Sequence, residues 1–386
     1  METLNNARSY DWAFIWPLSY EFFIERGYAY VAVTHTPQAI AALKKFNPTR
    51  YASLAFANPT PSEKCGPQGL TSDTEEGLRY DMMSQVAALL KSNTGPMARF
   101  NVQFVYGTTH TREFMTYANS VHKSAKLANG RRPYDGFVIK TEYAPVDRIN
   151  RCAAAPDNGD PRQILRNVEV PVIRVTAQGD VLSTASVRRP DSDVPNDRYR
   201  LWEVPAAPHM DKIFYQHMPM VDDQVKAGQT GFLGNWPMAY ACAPDIDLLD
   251  FPVMRYTLNA AFAAMDEWVR RGTPAPRAER IAVMEPGTPK ASFVTDKFGN
   301  ATGGAPNVYL QAPTATYFAN SPGQAVCNNL GRRVSFDWRR MESLYGNAKG
   351  YASKVNGSID KLVKERWLSE SDGKKVRAEL LGTATR

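Results

Sequence analysis

Residues 104–122 read FVYGTTHTREFMTYANSVH. The apolar run stops at Gly107 and small polar residues follow. Apolar side chains then return at helical spacing: Phe114, Tyr117, Val121 and Ala125 are three or four apart. This is the outline of a strand, a tight turn and a helix, with Gly107-Thr108-Thr109-His110-Thr111 at the tip. In a strand–turn–helix of this kind the tip is where a nucleophilic hydroxyl can be held, and the only hydroxyls on offer are threonines.

The pattern repeats on both sides of that stretch. Upstream, PLSYEFFIERG (17–27) predicts a helix ended by Gly27, and YAYVAVTH (28–35) a strand covered on both faces. Residues 47–70 are a Pro-rich loop. TEEGLRYDMMSQVAALLKS (74–92) is a helix with acids in its first turn, and FNVQFVYG (100–107) is the strand entering the turn. Downstream, 112–127 is a helix, YDGFVIKTE (134–142) a strand, and 170–178 and 198–204 two more. Strands alternating with helices predict a mostly parallel sheet with helices on both faces. The loop-rich stretches 143–169 and 210–250 are candidate cap insertions. VMRYTLNAAFAAMDEWVRRGTPAP (253–276) is an amphipathic helix stopped by Gly272 and Pro274. Residues 277–336 read as irregular β structure and 337–381 as helices, so about 277–386 forms a C-terminal extension of one domain spanning 1–386.

Composition narrows the function classes. The chain has 386 residues, 43% of them hydrophobic and 22% charged, which suits a globular protein with a full core. No apolar run of about 18 residues exists, so no membrane span is expected. The net charge of +7 is the difference of 46 basic and 39 acidic residues. It is scattered, with no stacking-plus-basic motif, so nucleic acid is not an expected partner. Cys65, Cys152, Cys242 and Cys327 lie too far apart in sequence for the usual zinc spacing, and no metal site is expected. Their even number fits two disulfides, and with them export, or four separate thiols. The first residues, METLNNARSYDW, lack the basic and apolar regions of a signal peptide. Localisation therefore stays open, with export possible if the native N-terminus is longer. Asn300-Ala-Thr302 and Asn356-Gly-Ser358 match the glycosylation pattern.

Three chemistry-bearing features follow strands: the Thr109 turn, Asp180 at the end of strand 170–178, and His209 just after strand 198–204. In a parallel sheet all strand ends share one edge, so the three can converge. A hydroxyl is too weak a nucleophile at neutral pH without an imidazole to take its proton, and a carboxylate fixes that imidazole's tautomer. Hydroxyl, acid, histidine is the chain order of the α/β-hydrolase triad.

The wording of the segments resembles the bacterial and fungal "alpha/beta hydrolase domain" proteins nearly end to end: GYAYVAVTHTPQAI, FNPTRYASL, TEEGLRYDMMSQVAALL, VYGTTHTREFMTYANSVH, VPVIRVTAQGD, RRPDSD, RYRLWEVPAAPH and APTATYFANSPG. The resemblance implies an α/β-hydrolase fold and no cofactor. By it, Thr109 sits where the group has its serine and His209 matches its histidine. The group carries acids near both 178 and 180, and Gln178 leaves Asp180. The backbone amide of His110, and one near Asn5 or Asn6, would hold the oxyanion. The group has two or three strands ahead of this point, so the front strands are expected to be missing, leaving an exposed sheet edge.

Two departures fall on the reactive turn: threonine for serine, and His110 for glutamine. The nucleophile of such an elbow occupies a strained backbone region, where a stiff β-branched side chain is crowded. Misplacing a reacting atom by ~1 Å can cost on the order of a hundredfold in rate. The resulting expectation is hydrolysis of a carboxylic ester by a Thr-His-Asp variant. The alternative is a binding protein that kept the pocket and lost the nucleophile, and a third reading has His209 as a simple base. An aromatic-rich cap points to a small apolar or aromatic ester as substrate, with Trp236 and His217 as pocket candidates. Plainer readings stand beside these. Thr109 and His110 can be ordinary turn residues, and Asp180 a turn cap. His35 and His122 read as structural, Trp202 and Trp268 as packing, and Asp191 and Asp193 as a solvated loop.

Overall fold

The computed structural model describes residues 1–4, 13–66, 68–110, 112–140, 146–157, 160–185, 188–211, 213, 217, 220–228, 242, 253–323 and 325–382. Its main strands are β1 (Glu2–Thr3), β2 (Ala32–Val33), β3 (Tyr106–Thr109), β4 (Gly136–Lys140), β5 (Val172–Ala177) and β6 (Tyr199–Val204). Their order in the sheet is β2-β1-β3-β4-β5-β6. β1 pairs in parallel with β2 and with β3, and β3 in parallel with β4, Thr109 standing opposite Ile139. The chain divides into two compact units. One comprises Met1–Val172, Ser192–Tyr199 and His217–Asn235; the other comprises Ile173–Asp191, Arg200–Gln216 and Trp236–Arg386.

In the first unit the helices are α1 (Trp16–Glu25), α2 (Pro37–Phe46), α3 (Leu78–Lys91) and α4 (Glu113–Thr116). α2 starts where a capping threonine meets a proline: the Thr36 hydroxyl accepts from the amide of Ala39 at 3.2 Å, and Pro37 lacks the N–H that this position leaves unpaired. α1 has no local side-chain cap. The Glu2 carboxylate reaches across from β1 and accepts from the amides of Phe14, Ile15 and Trp16 at 2.7, 2.9 and 3.2 Å, and from the Tyr30 hydroxyl. Burial pushes the Glu2 carboxyl up from its usual range, and these four hydrogen bonds pull against that rise.

α4 passes into a π-helical turn, Tyr117–Val121. Phe114, Tyr117, Tyr134 and Phe137 pack there ring on ring, with His122 edge-on to Phe137 at 5.1 Å. Gly107 makes room for them: a Cβ at this position would stand 2.7 Å from the Phe137 ring and 2.8 Å from Phe114. A disulfide joins Cys65 to Cys152, tying the Pro-rich loop to the first expected insertion. A further helix, Val221–Lys226, lies in the second expected insertion, most of which falls outside the described residues.

In the second unit, α5 (Gln178–Thr184) follows β5, and the helix after the insertion is Val253–Arg271. β6 carries Arg200, stacked 4.7 Å over Trp268, and Trp202, whose indole N–H donates to Pro276 at 2.9 Å. Glu203, buried, accepts from Nε and Nη2 of Arg188 at 2.6 and 2.7 Å and from the amide of Ile281 at 2.8 Å. The stretch expected to be irregular β holds the hairpins β7 (Val283–Met284) with β8 (Ser292–Phe293) and β9 (Ala315–Phe318) with β10 (Arg332–Ser335). The last helices span Trp338–Tyr345, Ala348–Lys364 and Glu370–Gly382. Cys242 and Cys327 form the second disulfide. Asn300 of the first glycosylation match is buried, donating to Ala315 at 3.2 Å and accepting from Tyr317 at 2.8 Å, so it is a structural side chain.

Among the described residues no helix is long and apolar enough to cross a membrane.

Candidate active site

In the first unit the turn after β3 begins later than expected. β3 runs through Tyr106–Thr109, so Gly107 and Thr108 are strand residues and Thr109 is the last of them. The glycine that read as a turn is there for the packing of Phe114 and Phe137. Thr109 is wholly buried, and its hydroxyl accepts a hydrogen bond from that of Thr3 at 2.9 Å. It is not among the non-glycine residues with positive φ. The strained backbone expected at this position is absent, because a β-branched residue at a strand end adopts extended geometry without cost.

His110 is buried against Phe14, the rings stacked at 3.9 Å and 10° apart. Its Nδ1 lies 2.9 Å from Nζ of Lys140, the last residue of β4, which is itself buried. Lysine donates in this contact, so Nδ1 is an acceptor and the neutral ring carries its proton on Nε2. His217 is exposed in a turn, its ring 6.2 Å from Tyr20. Asn6 and Trp236 lie outside the described residues.

In the second unit Asp180 and His209 meet. His209 Nδ1 is 2.8 Å from Asp180 Oδ1, and both side chains are buried. Asp180 does not end a strand: β5 stops at Ala177, and Asp180 lies in the first turn of α5, where the helix dipole favours a carboxylate. Its backbone carbonyl accepts from Ser183 and Thr184 at 2.8 and 2.9 Å. Gly179 permits the approach. A Cβ there would stand 2.9 Å from the backbone nitrogen of His209, and its own amide donates to Ala207 at 3.2 Å. Gln178 accepts from the amide of Ala206 at 2.6 Å, and Ala206 takes φ 67, a left-handed turn that redirects the chain towards His209. On the far side Met210 donates to Asn329 at 3.0 Å. The imidazole thus has its Nδ1–H directed at a carboxylate, which leaves Nε2 as the basic nitrogen.

Thr3, Lys140 and Glu2 were not singled out in the sequence. A threonine or glutamate in the first three residues carries no periodic signal, and Lys140 reads as the polar end of an apolar strand. Among the described residues, no group of three or more His, Cys, Asp or Glu is arranged to hold a metal.

In a comparison with protein families, a model described as "Alpha/beta hydrolase domain" matches residues 1–378. No curated protein and no solved structure matches the chain.

Proposed function

The chain belongs to the alpha/beta hydrolase domain family, and from that premise of general hydrolase chemistry we propose that it cleaves carboxylic esters with a Thr109-His209-Asp180 triad. The observation that carries the proposal is the buried 2.8 Å contact between His209 and Asp180. A histidine held by a carboxylate in one tautomer is what a general base needs. In this reading Thr109 Oγ1 attacks the ester carbonyl while His209 Nε2 takes its proton. The imidazolium, steadied by Asp180, passes that proton to the departing alcohol. Water then cleaves the acyl-threonine by the same route. The amide of His110 and one near Asn6 hold the oxyanion, and Trp236 and His217 contact a small apolar or aromatic ester. The chemistry calls for no cofactor.

One observation favours a second reading, a binding protein that no longer turns over. Thr109 lies at the relaxed end of a strand, with its hydroxyl engaged by Thr3. Hydrolysis of a short p-nitrophenyl ester separates the two. Parent activity that disappears in both Thr109→Ala and His209→Ala supports the triad. A silent parent with a large gain in Thr109→Ser supports the binding reading. Activity that survives Thr109→Ala but not His209→Ala removes the threonine from the chemistry and leaves His209 as a simple base.

A further inference from the structure

Residues 332–340 read RRVSFDWRR: four arginines and one acid in nine residues, around a tryptophan and a phenylalanine. They form β10 and the start of the helix Trp338–Tyr345, and the hydrolase reading uses none of them. Trp338 is 68% exposed and Val334 53% exposed, a large apolar display for side chains that water disfavours. The helix buries none of its eight residues. Packing within the chain leaves Trp338 uncovered at one end of an apolar stripe that continues through Met341 to Tyr345, both half-buried, spaced three and four apart.

The inner end of the helix is anchored. The Tyr345 hydroxyl donates to Pro313 at 2.7 Å, and the ring packs on Tyr351 at 5.1 Å. The outer end is Trp338. Along the hairpin and the start of the helix the cations stand over rings: Arg332 is 3.7 Å over Phe318, Arg340 is 4.3 Å over Phe336, and Arg339 is 5.4 Å over Trp338. Lys297 adds another at 5.0 Å over Phe298. Asp337, the acid in the stretch, is engaged as the helix cap, accepting from the amide of Arg340 at 2.8 Å.

We infer that the β9–β10 hairpin and the helix Trp338–Tyr345 form a docking face for an anionic lipid bilayer, with Trp338 and Val334 among the headgroups and the arginines against phosphates. Tryptophan is the residue most at home at headgroup depth. A basic amphipathic helix lies in the interface plane, and each cation near an anionic surface adds about fivefold to partitioning. The net charge of +7 has the same sign. This inference does not depend on the ester reading, and failure of either leaves the other standing.

Sedimentation with vesicles tests it. One set holds equal parts of phosphatidylcholine and phosphatidylglycerol, the other phosphatidylcholine alone, each at low and high salt. The protein is expected to pellet with the anionic vesicles only, and to be released by salt. Arg339→Glu with Arg340→Glu should lower partitioning on the order of tenfold or more, and Trp338→Ser several-fold with the salt dependence kept. Thermal unfolding should stay close to the parent, since the packing lost is exposed stacking such as that of Arg340 on Phe336. Hydrogen exchange on the unaltered protein gives an independent reading: anionic vesicles should protect 332–345. A parent that stays in the supernatant, variants that pellet like the parent, or no protection of 332–345 would each overturn the assignment. So would retention on a polyglutamate resin without vesicle binding, which would give the face to an acidic protein.

Discussion

A methyl group on Gly179 would stand 2.9 Å from the backbone nitrogen of His209 and 3.4 Å from the carbonyl of Ala319. Neither neighbour is a flexible side-chain tip, so Gly179→Ala must push the two backbones apart. The variant is expected to lose about 1–3 kcal/mol in urea unfolding and to separate His209 from Asp180, visible by NMR as loss of the hydrogen-bonded Nδ1 proton resonance of His209. His122 supports a different prediction. It is buried, its Nε2 lies 3.1 Å from the Tyr134 carbonyl, and burial lowers its pKa to about 4. An unfolded histidine titrates near 6.5. Between these values the unfolded chain binds a proton that the folded one does not, so stability falls as pH drops from about 6.5 to about 4, by ~3 kcal/mol in all. His122→Phe should flatten that part of the curve relative to the parent. At this scale the sequence was partly readable. Asp180 and His209 each follow a strand, which is why their meeting could be anticipated. The turn from β5 straight into a helix could not, because QGD reads equally as a loop. Nor could the hydrogen bond from Thr3 to Thr109, which joins residues 106 positions apart.

Elements with a full apolar stripe were legible. The helices at 78–91 and 253–271 and the strands at 136–140, 172–177 and 199–204 lie within the expected spans. Short elements were harder, because two residues of pairing carry no period. β1 went unseen, and β2 shrank from the expected 28–35 to Ala32–Val33. α2 was missed although Thr36-Pro37 is a start signal, since no element was assigned between the expected strand 28–35 and the loop 47–70. Two caps at this scale invite direct comparison. Thr36→Ala removes one side-chain acceptor and should cost about 1 kcal/mol. Glu2→Ala strips the acceptor from three amides and the Tyr30 hydroxyl at once, and should cost about 3 kcal/mol or more. Denaturant midpoints of the two variants check the ranking, and equal losses would mean that water recaps α1.

At the scale of the whole molecule, the division into units could not be read from the chain, because each unit is assembled from three separated segments. The cysteines cross much of that distance. Each disulfide lies within one unit, Cys65–Cys152 over 87 residues and Cys242–Cys327 over 85. Closing loops of that length removes conformations mainly from the unfolded chain, worth typically about 2–4 kcal/mol each. Spacing alone left two disulfides and four thiols as equal readings, because pairing depends on how loops return, not on sequence separation. Thiol titration under denaturing conditions decides the chemistry: protein made in an oxidising compartment should show no free thiol before reduction and four after it. Unfolding then decides the energetics. Cys65→Ser with Cys152→Ser, and Cys242→Ser with Cys327→Ser, should each lower stability by about 2–4 kcal/mol. Reduction of the parent should approach the sum if the two bonds act on independent stretches of the unfolded chain. A parent whose midpoint is unmoved by reductant, with all four thiols then titrating, would show that packing alone holds both loops and that the bonds add nothing to the fold.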